Sequence, residues 1–405
     1  MRIYEAARER EARSAAWGFI AGSRESYEAA REREARSAAQ GFIGEVTMLK
    51  KFITKCIVFA LILGVIFIPF SVFIDPFNVF HVSAPRNNGV EPNKNYLKMY
   101  NVLHHPDKYD SFLFGSSRVG FIDVEKMNDG KYYDMMYSEG TPAEHYENLK
   151  DMIERGIVPR NVTVGFDDIS YFVDPDFHQN QLYRLPFPWD GTLTDKTGFY
   201  LRYFDLITLS QSIEVMKEHE EKDYDPDYQM RLLDTGTENL DIPPAFNYEG
   251  AKAWWSDYYY PREESLEDIR KIVELCDEYD INLRVFTNPM HAMTYAKGID
   301  NGYLVFLEKL AEITPYWNFS GFNDITLDYS NYYETSHYCP AVGDRMIDVI
   351  YNGKTDAKLL SQGFGMYVTE DNVSQLMQIL NDQAVNFDLP VNTYSDTINR
   401  TEEED

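Results

Sequence analysis

The stretch Phe112-Leu-Phe-Gly-Ser-Ser-Arg118 joins an apolar run directly to a glycine and two serines. Its apolar part predicts a strand from Ser111 to Phe114. A Gly-Ser turn at the carboxyl end of a strand is a place where a hydroxyl can be held beside backbone N–H groups. Outward from this point, short apolar runs predict further strands at Tyr132 to Tyr137, Val162 to Phe166, Leu283 to Thr287 and Trp317 to Phe319. Longer segments with helical spacing predict helices at Ala143 to Arg155, Leu201 to His219, Leu266 to Tyr279, Tyr303 to Ile313 and Val342 to Tyr351. Strands separated by helices of this length form βαβ units, so the expected body is an α/β fold with a parallel sheet covered on both faces. Ligands of such sheets bind in loops at the carboxyl ends of the strands.

Two stretches break the pattern and read as insertions: about Asp174 to Lys196, and the Tyr-, Trp- and Asp-rich segment from Asp223 to Pro261. Aromatic loops of this kind either shape a binding site or form a silent lid. The expected domains are residues 1–47, a membrane anchor over 48–75, the α/β body over 76–352, and a carboxyl-terminal helix (Glu370 to Leu380) with an acidic tail over 353–405.

Residues Tyr4 to Ile20 recur as Tyr27 to Ile43, differing only where Trp17 becomes Gln40. Two nearly identical copies suit a recent duplication better than a stacked repeat fold. Met48 is read as the native start, because Lys50, Lys51 and Lys55 lead into 19 uncharged residues, Cys56 to Ile74. Mass spectrometry of the native amino terminus checks that expectation. At about 1.5 Å per residue the run spans roughly 28 Å, the thickness of a bilayer's hydrocarbon core. The bulky exit Ser71-Val-Phe-Ile lacks the small residues of a cleavage site, so a retained anchor is expected. The flanking lysines place the amino terminus in the cytoplasm and the body outside.

The 405 residues carry 66 acids against 38 bases, a formal charge of −28. The first 47 residues are neutral, and residues 48–75 hold three Lys against Asp75, so −30 falls on residues 76–405. That balance argues against a nucleic-acid partner. Cys56, Cys276 and Cys339 are too few for a disulfide framework or a cysteine-rich zinc site. No phosphate-binding P-loop, HExxH or dinucleotide glycine set occurs, and no cofactor or metal is expected.

The second chemical candidate is Tyr333-Glu-Thr-Ser-His337, in the last loop before the final helix of the repeating pattern. Glu334 and His337, three apart, can share a turn in which the carboxylate orients the imidazole and the other ring nitrogen faces a serine. Among other candidates, His291 in Asn288-Pro-Met-His291 could line a pocket or belong to a structural strand-end loop. Arg118 could hold an anionic substrate group or pair with one of the many acids. His104 and His105 read as loop residues, and Asp324 and Asp328 as caps or rivals of Glu334.

Together these blocks resemble the SGNH (GDSL-type) hydrolase superfamily, and more narrowly its membrane-anchored branch that includes teichoic-acid D-alanine transfer and alginate O-acetylation proteins. The resemblance covers roughly residues 110–345 and implies a flavodoxin-like three-layer fold with ester chemistry on surface glycans. It puts Ser117 at the nucleophile position, His337 at the general base and Glu334 at the orienting acid. Gly140, in Tyr137-Ser-Glu-Gly140, takes the position of the oxyanion-hole glycine, alongside the Ser117 N–H. Asp167, in Gly165-Phe-Asp-Asp168, stands where the family keeps an oxyanion-hole Asn; an ionised carboxylate cannot donate there. The resemblance implies a serine esterase or O-acyltransferase acting on cell-envelope polysaccharide, with a polytopic membrane O-acyltransferase as partner. The alternative is an inactive SGNH-fold glycan-binding or scaffold protein, and Asp167 motivates it.

Overall fold

The computed structural model describes residues 2–86, 88–217, 227–244 and 251–387. The chain forms two units, residues 1–70 and the remainder. The first belongs to helix α1 (Arg2–Ile74), which runs without a break through both copies of the duplicated segment. The stretch Ser26–Ile74 is long and apolar enough to cross a membrane. Ile57, Leu61, Ile62, Val65 and Ile66 are all exposed along it, whereas a core helix would bury them.

In chain order the second unit then contains α2 (Lys94–His104), β1 (Ser111–Gly115), β2 (Tyr132–Asp134), α3 (Pro142–Glu154), β3 (Asn161–Phe166), α4 (Asp168–Phe172), α5 (Leu193–Leu201), α6 (Leu206–Lys217) and α7 (Tyr228–Asp234). It continues with α8 (Glu264–Glu278), β4 (Asn282–Thr287), α9 (Ala292–Asp300), α10 (Tyr303–Ile313), β5 (Tyr316–Asn318), α11 (Pro340–Asn352), α12 (Ala357–Ser361), β6 (Met366–Val368) and α13 (Val373–Asn386).

The six strands form one sheet in the order β2-β1-β3-β4-β5-β6. Five are parallel, and the edge strand β6 pairs antiparallel with β5, so the expected all-parallel sheet is corrected to a mixed one. Alternate side chains serve opposite faces. Phe112, Phe114, Val162 and Val164 pack under α3, α8 and α10, while Leu113 and Phe286 join Val342 and Met346 of α11 on the other side. Each such apolar side chain contributes roughly 1.5–3 kcal/mol when fully buried. A third cluster gathers Phe77 and Val79 with Tyr96, Leu182, Leu185, Phe199 and Tyr203.

Other corrections concern local signals. The helix expected from Leu201 to His219 begins later, at Leu206 as α6, because Asp205 caps it: its Oδ1 accepts the Thr208 N–H at 2.8 Å, while Leu201 closes the separate helix α5. The last two residues of that expectation, 218–219, lie outside the described residues, as do parts of the second insertion and the acidic tail. Strand β2 stops at Asp134, whose Oδ1 takes the Met136 N–H at 2.7 Å and turns the chain out of the sheet.

The order of strands positions the site. Strand β1 lies between β2 and β3, so the connections diverge on either side of it and open a crevice at the carboxyl ends. Gly115 and Gly165 sit side by side in register. A Cβ on either would come within 2.7 Å of Val119 Cγ1, so only glycines let the turn after β1 fold down onto the sheet.

Candidate active site

Ser116 follows β1 in extended conformation and caps a short 3₁₀ turn, Ser117–Phe121. The turn presents the half-buried Ser117 at the crevice. From 220 residues further along, His337 reaches the same place, and its Nε2 lies 2.7 Å from Ser117 Oγ. The other ring nitrogen, Nδ1, is hydrogen-bonded to Glu334 Oε1. The same carboxylate accepts the backbone N–H groups of Ser336 at 2.6 Å and His337 at 2.8 Å. Burial pushes the Glu334 carboxyl up, but the His337 contact and the two N–H groups outweigh it and hold it below the usual carboxylate range. A hydroxyl, an imidazole and an ionised carboxylate are thus in series, in the arrangement that lets an imidazole take a proton from a serine.

The loop carrying Glu334 and His337 is fixed by residues that single-sequence patterns do not mark. Tyr332 and Tyr338 bridge its base; their hydroxyls donate to Pro289 O at 2.8 Å and Asn288 Oδ1 at 3.0 Å. Thr294 Oγ1 donates to Thr335 O at 2.7 Å. The imidazole is walled by Phe121, 5.6 Å between ring centres, and by Trp254, 6.5 Å away. Trp254 comes from the second insertion, whose aromatic content was the available signal. Phe121 also borders a cleft of about 1260 Å³ lined by Lys94, Tyr228, Arg231, Glu238 and Ile242 among others.

Three candidate site residues take structural roles, and for Arg118 and His291 this is the second of the two readings the sequence left open. Arg118 is buried, not presented to substrate: Nη1 pairs with Asp167 at 2.9 Å and with Asp168, and Nε donates to Ser336 O at 2.9 Å. Burial alone would lower its pKa, but the two carboxylates reverse this and raise it. Asp168 in turn is pushed up to about 6, by burial and by Asp167 against the pull of Arg118. Asp167 offers nothing to an oxyanion. Its Oδ2 accepts Ser116 Oγ at 2.6 Å and Asn288 Nδ2 at 3.0 Å, and its Oδ1 accepts the Ile169 N–H at 3.0 Å. It ties the ends of β1, β3 and β4 together. His291 is buried as well, caps α9 through the Met293 N–H at 3.2 Å, and meets Tyr332 edge-on at 5.0 Å. Burial lowers its pKa to about 4 against the pull of Glu334, so it is a neutral structural ring.

Gly140 is placed beside β1, where a Cβ would come within 3.0 Å of Gly115 O and 2.6 Å of His145 Cε1. Its N–H closes a turn onto Tyr137 O at 3.1 Å. The preceding Glu139 has φ +52° and is pinned there: its carboxylate accepts Tyr259 Oη at 2.9 Å and meets His178 Nε2 at 2.7 Å, while Arg184 donates to its carbonyl at 3.1 Å. His145 packs between Phe114 and Tyr137, and burial lowers its pKa to about 4. Of the expected oxyanion donors, the Ser117 N–H is the one that makes no hydrogen bond among the described residues.

Neither a family model nor a curated protein matches this chain.

Proposed function

We propose that the chain is a membrane-anchored serine esterase or O-acyltransferase of cell-envelope polysaccharide, with its amino end in the cytoplasm and its α/β body outside. The observation that carries this reading is the connected series Ser117 Oγ, His337 and Glu334 at the carboxyl edge of a largely parallel sheet. In the proposed reaction Ser117 Oγ attacks an acyl carbonyl while its proton passes to His337 Nε2. Glu334 holds the Nδ1–H tautomer and balances the imidazolium. The Ser117 N–H faces the developing oxyanion. Collapse of the tetrahedral species returns the proton to the departing alcohol and leaves an acyl ester on Ser117. A sugar hydroxyl, or water, then gives its proton to His337 and takes the acyl group, and His337 returns that proton to the departing Ser117 Oγ. The resemblance to O-acylation proteins favours the sugar and a polytopic O-acyltransferase as acyl supplier.

The second reading, a non-catalytic glycan-binding or scaffold protein, is favoured by the acceptor-only Asp167 and the engaged Gly140 N–H, which leave few donors for an oxyanion. One experiment separates the two. The purified full chain is treated with a fluorophosphonate and with an aryl acetate. Labelling and an acyl mass increment that vanish in Ser117→Ala support the enzyme; absence of both in the wild-type chain supports the scaffold.

A further inference from the structure

Helix α6 is turned inside out for a protein in water. Its buried residues are Thr208 and Ser212, at 1% and 0% exposure, whereas Leu206 is 81% exposed and Ile207, Ile213 and Met216 also face outward. The preceding α5 adds exposed Leu193 and Leu201. So many large apolar side chains facing solvent within one short segment mark a surface that another phase or molecule covers. The covering phase is identified by where the chain fastens this segment. Phe204, between α5 and α6, stacks on Phe80 at 5.4 Å, and Tyr203 packs on Phe77 at 5.8 Å. Phe77 and Phe80 lie three and six residues beyond Ile74, the last residue of the apolar helix. Even fully extended, six residues reach about 20 Å. The connection is shorter than that, because Asp75 Oδ1 and Oδ2 accept the N–H groups of Val79, Phe80 and His81 at 2.7–2.8 Å and coil it. The segment is also neutral: over 193–217, Asp195, Asp205 and Glu214 are matched by Lys196, Arg202 and Lys217, in a body whose −30 charge would otherwise be repelled by anionic headgroups.

We propose that the outward face of α5 and α6 lies in the headgroup and upper acyl region of the lipid bilayer, forming a second membrane contact. It rests on the reading that α1 crosses that bilayer. Leu206, Ile207, Ile213 and Met216 enter the lipid while Thr208 and Ser212 stay in the protein, as in helices that lie along a membrane interface.

The test places an environment-sensitive fluorophore on one exposed cysteine at a time of the full chain, native Cys276 and Cys339 being buried, in vesicles of phosphatidylcholine and phosphatidylglycerol, with and without doxyl-labelled lipid. Leu206→Cys and Ile213→Cys are made in a Cys56→Ala background, with Lys358→Cys on α12 as the aqueous reference and native Cys56 as the reference for the anchor. The expected result is strong doxyl quenching at 206 and 213 and none at 358. Quenching at Cys56 but not at 206 or 213 overturns the proposal and leaves the anchor standing, including the case where the 206 label is shielded by a protein. Absence of quenching at Cys56 removes the anchor and the proposal with it.

Discussion

Glu334 acts on His337 twice, through the ring and through the backbone N–H groups of Ser336 and His337. Glu334→Gln keeps the size of the side chain but makes one of its two terminal groups a donor, which favours the wrong imidazole tautomer. The expected outcome is a fall in kcat on an aryl acetate of roughly 10³-fold or more with KM little changed, read by steady-state kinetics. Glu334 and His337 were legible in the sequence because their relation is local, three residues within one turn. The particular partners of Arg118 and Asp167 were not. Their partners are supplied by Asp168, Ser336, Ser116 and Asn288, as many as 218 residues away, and a carboxylate or guanidinium carries no mark of which distant group will neutralise it.

At the scale of elements, the buried parallel strands were readable because strands covered on both faces are continuously apolar. Strand β6 was not readable: it is three residues long, exposes Tyr367 at the sheet edge and is preceded by Gly363 and Gly365 at positive φ. The late start of α6 was hidden because nothing in the apolar pattern from Leu201 onward marks Asp205 as the cap that begins the helix. The carboxyl-terminal elements belong to the body. Leu376 and Leu380 of α13 are fully buried, Gln383 Oε1 accepts the Phe322 N–H at 3.0 Å, and Asn318 Nδ2 donates to Gly363 O at 2.9 Å. A chain ending at Asn352 would expose β5 and the α10 face. Removal of two fully buried leucines alone costs about 3–6 kcal/mol, so the truncated chain is expected to unfold at markedly lower urea than one ending at Phe387. Equal urea midpoints by circular dichroism would contradict this.

For the molecule as a whole, pH acts through buried groups of opposing sign. Asp134 and Asp168, both raised to about 6, bind protons more tightly when folded, so they lower stability as pH rises from the unfolded value of 3.8 towards 6. His145 and His291, lowered to about 4, do the reverse. The unfolded chain protonates them near 6.5 and the folded one does not, so their contribution is complete above 6.5 and is lost as pH falls to 4. For His145 that is on the order of 3 kcal/mol. In His145→Phe the term is absent, so the stability difference between wild type and variant should shrink by about that amount from pH 7 to pH 4. Urea titrations at both pH values measure it; a constant difference would show that His145 does not change protonation on unfolding.

The guanidinium of Arg118 grips the loop of His337 through Ser336 O while its own backbone continues from Ser117. Ser117 and His337 are therefore yoked: a thermal excursion of either drags its counterpart along. The hydroxyl-to-imidazole spacing is thus held by a strut close to both groups, not by the accumulated tolerance of the 219 residues between them.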